Sequence, residues 1–178
     1  MDMLRIDQRT RVNQLKKLRQ LERSGVDKDE SNYKKEVRKL VDELTRLDKK
    51  NTLRVKQIIN EFGWPGISLV GKRGEHATWL LVQHATHDLT FQKKCLEILK
   101  KAVEKKEADI KHMAYLTDRI LVQEGKKQIY GTQFKGKHDG TSEPFPIKNL
   151  RKLPSLRKAA GLEPFSQYKK RMGALNLR

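Results

Sequence analysis

Apolar side chains recur at three- and four-residue spacings along most of this chain, a period that predicts helices nearly throughout. Between Leu4 and Arg23 a narrow stripe runs through Val12, Leu15, Leu18 and Leu21, and Ser24-Gly25 closes it. Residues 27–32 offer several N-caps. A long helix then extends to about Phe62 through Tyr33, Val37, Leu40, Val41, Leu44, Leu47, Val55, Ile58 and Ile59. Gly63 is its expected stop. The stripe lapses over Asp48-Lys-Lys-Asn-Thr52, which predicts a kink or break. Together the two segments read as a long N-terminal helical hairpin.

Residues 63–74 contain four glycines and a proline and read as a loop that seats Trp64 and Ile67 over the core. No Gly-Lys-Ser/Thr ending follows, so this is not a phosphate loop. The helix from Glu75 differs from its neighbours. With Ala77 as zero, Leu81, Ala85, Val82, Trp79 and Leu80 fall at roughly 40°, 80°, 140°, 200° and 300° on a helical wheel. A helix apolar all round is a buried one. His84 falls at roughly 340° on the same wheel, which turns it inward and obliges it to find a hydrogen-bond partner.

Asp88 is the expected cap of a helix over Leu89 to about Lys105, and Asp109 that of another over Ile110–Glu124, ended by Gly125. The helical period disappears over 128–134. With Thr141–Ile147, that stretch predicts a small hairpin around residues 135–140. Two short basic helices, near Leu153–Ala160 and Pro164–Met172, complete a mainly α helical bundle. Residues 1–28 read as an N-terminal helical extension. Residues 29–178 read as one helical domain with a basic C-terminal segment and a β-hairpin or irregular element near 128–147.

Charge narrows the partners. Net charge is +18. The last 44 residues hold 11 basic and 3 acidic side chains, a surplus of 8. Such a field concentrates anions, either small molecules or nucleic acid. Helix-turn-helix, RNA-recognition and zinc-finger signatures are missing, and aromatics interleave with basic residues only around Phe165–Arg171. No run is long and apolar enough for a bilayer, so no membrane partner is expected. The single Cys95 excludes an internal disulfide and reads as a small core hydrophobe, in keeping with a cytoplasmic location. Oligomeric state is left open.

Three polar groups interrupt apolar surroundings: Gln83, His84, His87 and Asp88; Tyr115 with Asp118 and Arg119; and Gln128, Tyr130, Thr132 and Gln133. His84 and Asp88 have the spacing of two metal ligands on one helical face. An N-cap at Asp88 breaks that face, so neither metal nor cofactor is expected. On the helix from Ile110, Asp118 stands at the edge of the apolar arc and can reach across to an imidazole, while amphipathicity leaves Arg119 in solvent. A carboxylate behind a histidine fixes its tautomer and raises its basicity, as general acid–base chemistry requires. The bland alternative is a structural polar network joining two helices and a loop.

Several motifs are shared with a known group. These are Gly63-Trp-Pro, Ser68-Leu-Val-Gly71, the run from Ala77 through Trp79-Leu-Leu-Val-Gln-His-Ala85, and Asp88-x-x-Phe-Gln92. Further along come Ala114-Tyr-Leu-Thr-Asp-Arg119, Gly125-x-x-Gln-x-Tyr-Gly-Thr-Gln133 and Arg157-Lys-x-x-Gly-Leu-x-Pro-x-x-x-Tyr168. In this order, over residues 40–172, they resemble an uncharacterised bacterial domain family. The chain departs from its pattern at Leu89, where proline is usual, and in its lysine-rich surface. The resemblance implies no activity, but its pattern includes Gln83, His84, Asp88, Asp118, Arg119, Tyr130 and Gln133.

The resulting expectation is a small enzyme or ligand-binding domain with a polar pocket around His84 for an anionic, phosphate-bearing ligand. His84 acts as acid or base and Asp118 orients it. Trp64, Gln83, Arg119, Gln128, Tyr130, Thr132 and Gln133 contact the ligand. A basic helical module that binds nucleic acid is the alternative, and a helical adaptor the third reading.

Overall fold

The computed structural model describes residues 2–23, 31–137 and 141–176. Seven helices and one two-stranded antiparallel sheet make up the described chain: α1 Asp2–Arg23, α2 Ser31–Phe62, α3 Ile67–His84, α4 Leu89–Glu104, α5 Ile110–Gln123, β1 Phe134–Gly136, β2 Ser142–Pro144, α6 Leu153–Ala159 and α7 Phe165–Asn176. The fold is mainly α with a small hairpin, as the periodicity predicts. Asp88, Asp109, Gly63 and Gly125 are the caps and stops expected of them, while the stop expected at Ser24-Gly25 and the caps expected over 27–30 lie outside the described residues. Asp88 accepts from Phe91 N at 2.9 Å and Asp109 from Lys111 N at 2.9 Å. Gly63 and Gly125 take φ of +70°, the left-handed conformation that ends a helix and that glycine adopts without strain.

Three details differ from the sequence reading. First, α2 runs unbroken through residues 48–52. Asn51 and Thr52 are buried there, and Val55 follows one turn on. The polar stretch continues the inward face instead of interrupting it, because its partner on α1 is polar too. Second, α1 packs through Asp7, Arg11, Gln14, Leu18 and Leu21, whereas Val12 and Leu15 of the expected stripe are about half exposed, at 51% and 49%. Third, α3 begins at Ile67 and crosses a kink at Gly71, where φ is +69° and ψ 168°. Residues 67–70 thus form a helical turn where a loop was expected.

The core lies where α2, α3, α4 and α5 meet. Val55 and Ile59 from α2 face Leu81 and Val82 from α3, Phe91, Cys95, Leu96, Leu99 and Ala102 from α4, and Leu116 and Ile120 from α5. Leu99 and Leu116 have no exposed surface. Truncating either to alanine would cost about 2–5 kcal/mol, since so dense a site cannot collapse to fill the hole. α1 lies against α2 and α3, and α7 against α6 and β2. The hairpin pairs Phe134 with Pro144, Lys135 with Glu143 and Gly136 with Ser142. Behind it, Tyr168 of α7 packs edge-on against Phe134 and Tyr115.

Candidate functional site

His84 is the last residue of α3, where the chain turns toward the Asp88 cap. The wheel turns it inward, and the structure leaves its imidazole 19% exposed at the junction with α1 and α2. Its Nδ1 stands 3.0 Å from Oδ2 of Asp7, whose side chain has no exposed surface. The approach is an ion-pair contact, off the axis of a hydrogen bond. Asp7 also accepts from Arg11 Nε at 3.2 Å, Gln8 Nε2 at 2.8 Å and Asn51 Nδ2 at 3.4 Å. Burial pushes the Asp7 carboxyl up, but its contacts with His84 and Arg11 prevail and bring it down to about 2. A carboxylate that ionised is a fixed negative charge at any physiological pH.

The partner expected for His84 was Asp118. The structure corrects this: the carboxylate beside the ring comes from α1. Asp118 also has no exposed surface. Its oxygens accept from Ile129 N at 2.7 Å, Tyr130 N at 3.0 Å, Thr132 N at 2.9 Å and Thr132 Oγ1 at 2.9 Å. Gly131, at φ +67°, lets these amides converge on one carboxylate. Burial raises the Asp118 carboxyl, and the backbone donors of residues 129–132 oppose that rise.

The rest of the third polar group closes on itself. Gln128 is fully buried, donates to the carbonyls of Gln133 at 3.1 Å and Phe145 at 2.7 Å, and accepts from Gln133 N at 2.9 Å. Gln133 Nε2 donates to Thr132 Oγ1 at 3.0 Å. Tyr130 is half-buried, and its carbonyl accepts from Arg157. Trp64 is placed elsewhere, donating to Glu75 Oε1 at 3.3 Å beneath the α2–α3 turn. Of the predicted site residues, the structure joins Arg119 to Gln83, sets the adjoining His84 beside Asp7, and gathers Asp118, Gln128, Tyr130, Thr132 and Gln133 around the 128–133 loop.

Arg119 departs from amphipathicity. It is half-buried, and its Nε donates to Gln83 Oε1. Its two terminal nitrogens have no protein partner among the described residues, nor are they sealed from solvent. Burial lowers its affinity for its proton, and the neighbouring Arg11 charge adds to that effect. Gln83 is 3% exposed and its Nε2 is buried without a partner among the described residues. His84 Nε2 likewise has no partner among the described residues and reaches solvent. This corner therefore carries unused donors, while the Asp118 cluster has its carboxylate fully engaged.

Asp7, Asp48 and His84 each place a ligand atom within 4.8 Å of the others, a spacing that suits a metal ion. Arg11 bridges Asp7 and Asp48, so a guanidinium already supplies the countercharge to both carboxylates. Burial raises the Asp48 carboxyl, with Arg11 and His84 opposing and Asp7 reinforcing. The Asp88 half of the alternative metal pair is taken by Phe91 N and Lys56.

Sequence reasoning missed a second constellation on the α3–α5 seam. Nδ1 of the buried His112 lies 2.9 Å from Glu75 Oε2, and its Nε2 lies 3.2 Å from Nδ1 of the exposed His76. Trp79 stacks on the His112 ring at 4.2 Å and donates to its carbonyl at 3.0 Å. Burial lowers the His76 pKa, and the His112 charge reinforces it. Glu75, His76 and Trp79 sit on one helix and His112 on another, 33 to 37 residues away. Without the α3–α5 pairing, nothing marked it.

No curated protein and no solved structure matches the chain. The profile of one family, described as Family of unknown function (DUF6624), matches residues 15–175, a span that contains Asp48, Gln83, His84 and Arg119 but starts after Asp7 and Arg11. With most of its length covered, and in keeping with the resemblance of its motifs, the chain belongs to this family of unknown function.

Proposed function

We propose that the protein binds a small anionic, phosphate-bearing ligand at the corner formed by His84, Gln83 and Arg119, as a ligand-binding domain or small enzyme. One observation carries this reading. His84 Nε2 and the terminal nitrogens of Arg119 reach solvent with no protein partner among the described residues, although both side chains are anchored from behind. A half-buried guanidinium without a carboxylate is costly, and an anion beside it offsets both the lost hydration and the repulsion from Arg11. Arg119 can grip a phosphate with two parallel N–H donors, and the Gln83 anchor holds the fork in place. Asp7 holds His84 at Nδ1, which leaves Nε2 as the nitrogen that exchanges a proton with the ligand. Asp7 takes the orienting role first expected of Asp118.

Isothermal titration of the whole protein with inorganic phosphate tests the reading. Saturable binding is expected, weakened at least about tenfold in Arg119→Ala and in His84→Ala, the loss typical of one charge-assisted hydrogen bond. Equal binding by wild type and both variants would assign the phosphate to the lysine-rich surface and remove the proposed site. Affinity for nucleic acid that falls steeply with salt, and is indifferent to both substitutions, would favour the basic-module alternative.

A further inference from the structure

A cavity lies far along the chain from His84, between α6 and α7. It encloses about 760 Å³ and is lined by Leu150, Leu153, Pro154, Leu162, Pro164 and Phe165, with Arg157, Lys158, Gly161 and Ser166. That volume is in the range of small-molecule pockets. Its walls are apolar, yet two of the lining residues are cations and none is acidic.

Arg157 is the unusual member. It is 1% exposed, and among the described residues no carboxylate bonds it. Nε donates to the Glu163 carbonyl at 2.7 Å and Nη1 to the Tyr130 carbonyl at 2.6 Å, both neutral acceptors. The guanidinium lies over the rings of Phe165 at 5.6 Å and Tyr168 at 5.0 Å. Nη2 is buried with no partner among the described residues. Burial lowers the affinity of this group for its proton, as it does wherever a charge is poorly compensated. Lys158 adjoins it, exposed and without a carboxylate partner among the described residues. Glu163, the nearest acid in sequence, spends its side chain on Arg171.

From the apolar walls, the unpartnered Nη2 and the free Lys158, we infer that this cavity binds an amphipathic monoanion, a carboxylate carried on an alkyl or aryl body. The body fills the space between Leu153, Leu162 and Phe165. The carboxylate meets Lys158, the exposed cation of the lining, and the buried Arg157 charge lies in the wall behind it. Neither charge nor shape alone explains the lining: a purely apolar ligand would leave the two cations uncompensated, and a small hydrophilic anion would leave the walls wet. The site is separate from the His84 corner and does not depend on the reading given to it.

Titration with octanoate, 1-octanol and acetate decides the matter, using the whole protein below the aggregation limit of each ligand. Octanoate should bind saturably and at least about tenfold more tightly than octanol, with acetate showing no saturation, as charge and apolar body both contribute. Lys158→Glu should weaken octanoate severalfold, and Ser166→Trp, which fills the cavity from an exposed position, should abolish its binding. Arg157 also clamps the 130 and 131 carbonyls, so the test leaves it in place and relies on the two surface variants. Equal affinity for octanol and octanoate, octanoate binding unchanged by Ser166→Trp, or no saturable octanoate binding would each overturn the inference.

Discussion

Two buried carboxylates, Asp118 and Asp7, have the same exposure, none at all, and opposite surroundings. Asp118 is met by three backbone amides and a hydroxyl from the loop just after its own helix. Asp7 is met by side chains from three helices, among them a histidine and an arginine. Backbone donors cannot titrate or move away without unfolding the loop, so Asp118 fastens the fold. Two of the partners of Asp7, His84 and Arg11, are ionisable side chains partly open to solvent, so the same chemical group there can position a reacting or binding side chain. A buried acid is informative about function only through what faces it.

The contrast is sharpest under substitution. Asp118→Ala leaves several buried amides without an acceptor, and urea unfolding should show a loss of about 3 kcal/mol or more. A stable Asp118→Ala protein that had lost only phosphate binding would reverse the roles assigned to the two acids. Gly131→Ala attacks the same loop through its backbone. The new Cβ would lie 2.8 Å from Phe165 Cε2 at a residue with φ +67°, which predicts a cost of about 1–3 kcal/mol in the same assay. Asp7→Asn should cost about 2 kcal/mol at neutral pH, from a carboxyl lowered from 3.8 to about 2. Because that pKa is depressed in the folded protein, the stabilisation is complete above the unfolded value and fades as pH falls toward 2. The wild-type and Asp7→Asn unfolding curves should therefore converge in acid, and a constant gap would show that the charge of Asp7 is not what matters. Cys95 should show the smallest response of all: with its thiol pushed up to about 12 by burial, it should resist thiol reagents in the native protein and react on unfolding.

Much of the fold was legible because helical period, glycine stops and aspartate caps act locally. Asp88, Asp109, Gly63 and Gly125 needed no tertiary information. The half of the proposed site inside α3 and α5 could be picked out as a candidate, as His84, Gln83 and Arg119 are polar groups on largely apolar helices. Its other half was not. Asp7, Arg11 and Asp48 look like ordinary surface charges, and only the antiparallel approach of α1 to α2, with Arg11 bridging to Asp48 and Asn51 reaching Asp7, makes them interior. The lapse in the α2 stripe carried the signal, since Asp48, Asn51, Thr52 and Val55 keep the spacing of the inward face. Polarity concealed it. Asp118 misled for the complementary reason: a helical wheel shows which way a side chain leaves its helix, but not that a loop 11 residues on will fold back to cover it.

Phosphate binding at the His84 corner and not at the Asp118 loop can be tested by nuclear magnetic resonance in a single titration with inorganic phosphate. The side-chain ¹⁵N signals of Arg119 and His84 should shift saturably together, while the backbone amides of Ile129, Tyr130 and Thr132 stay where they are. Shifts confined to those three amides, with Arg119 and His84 unmoved, would contradict it.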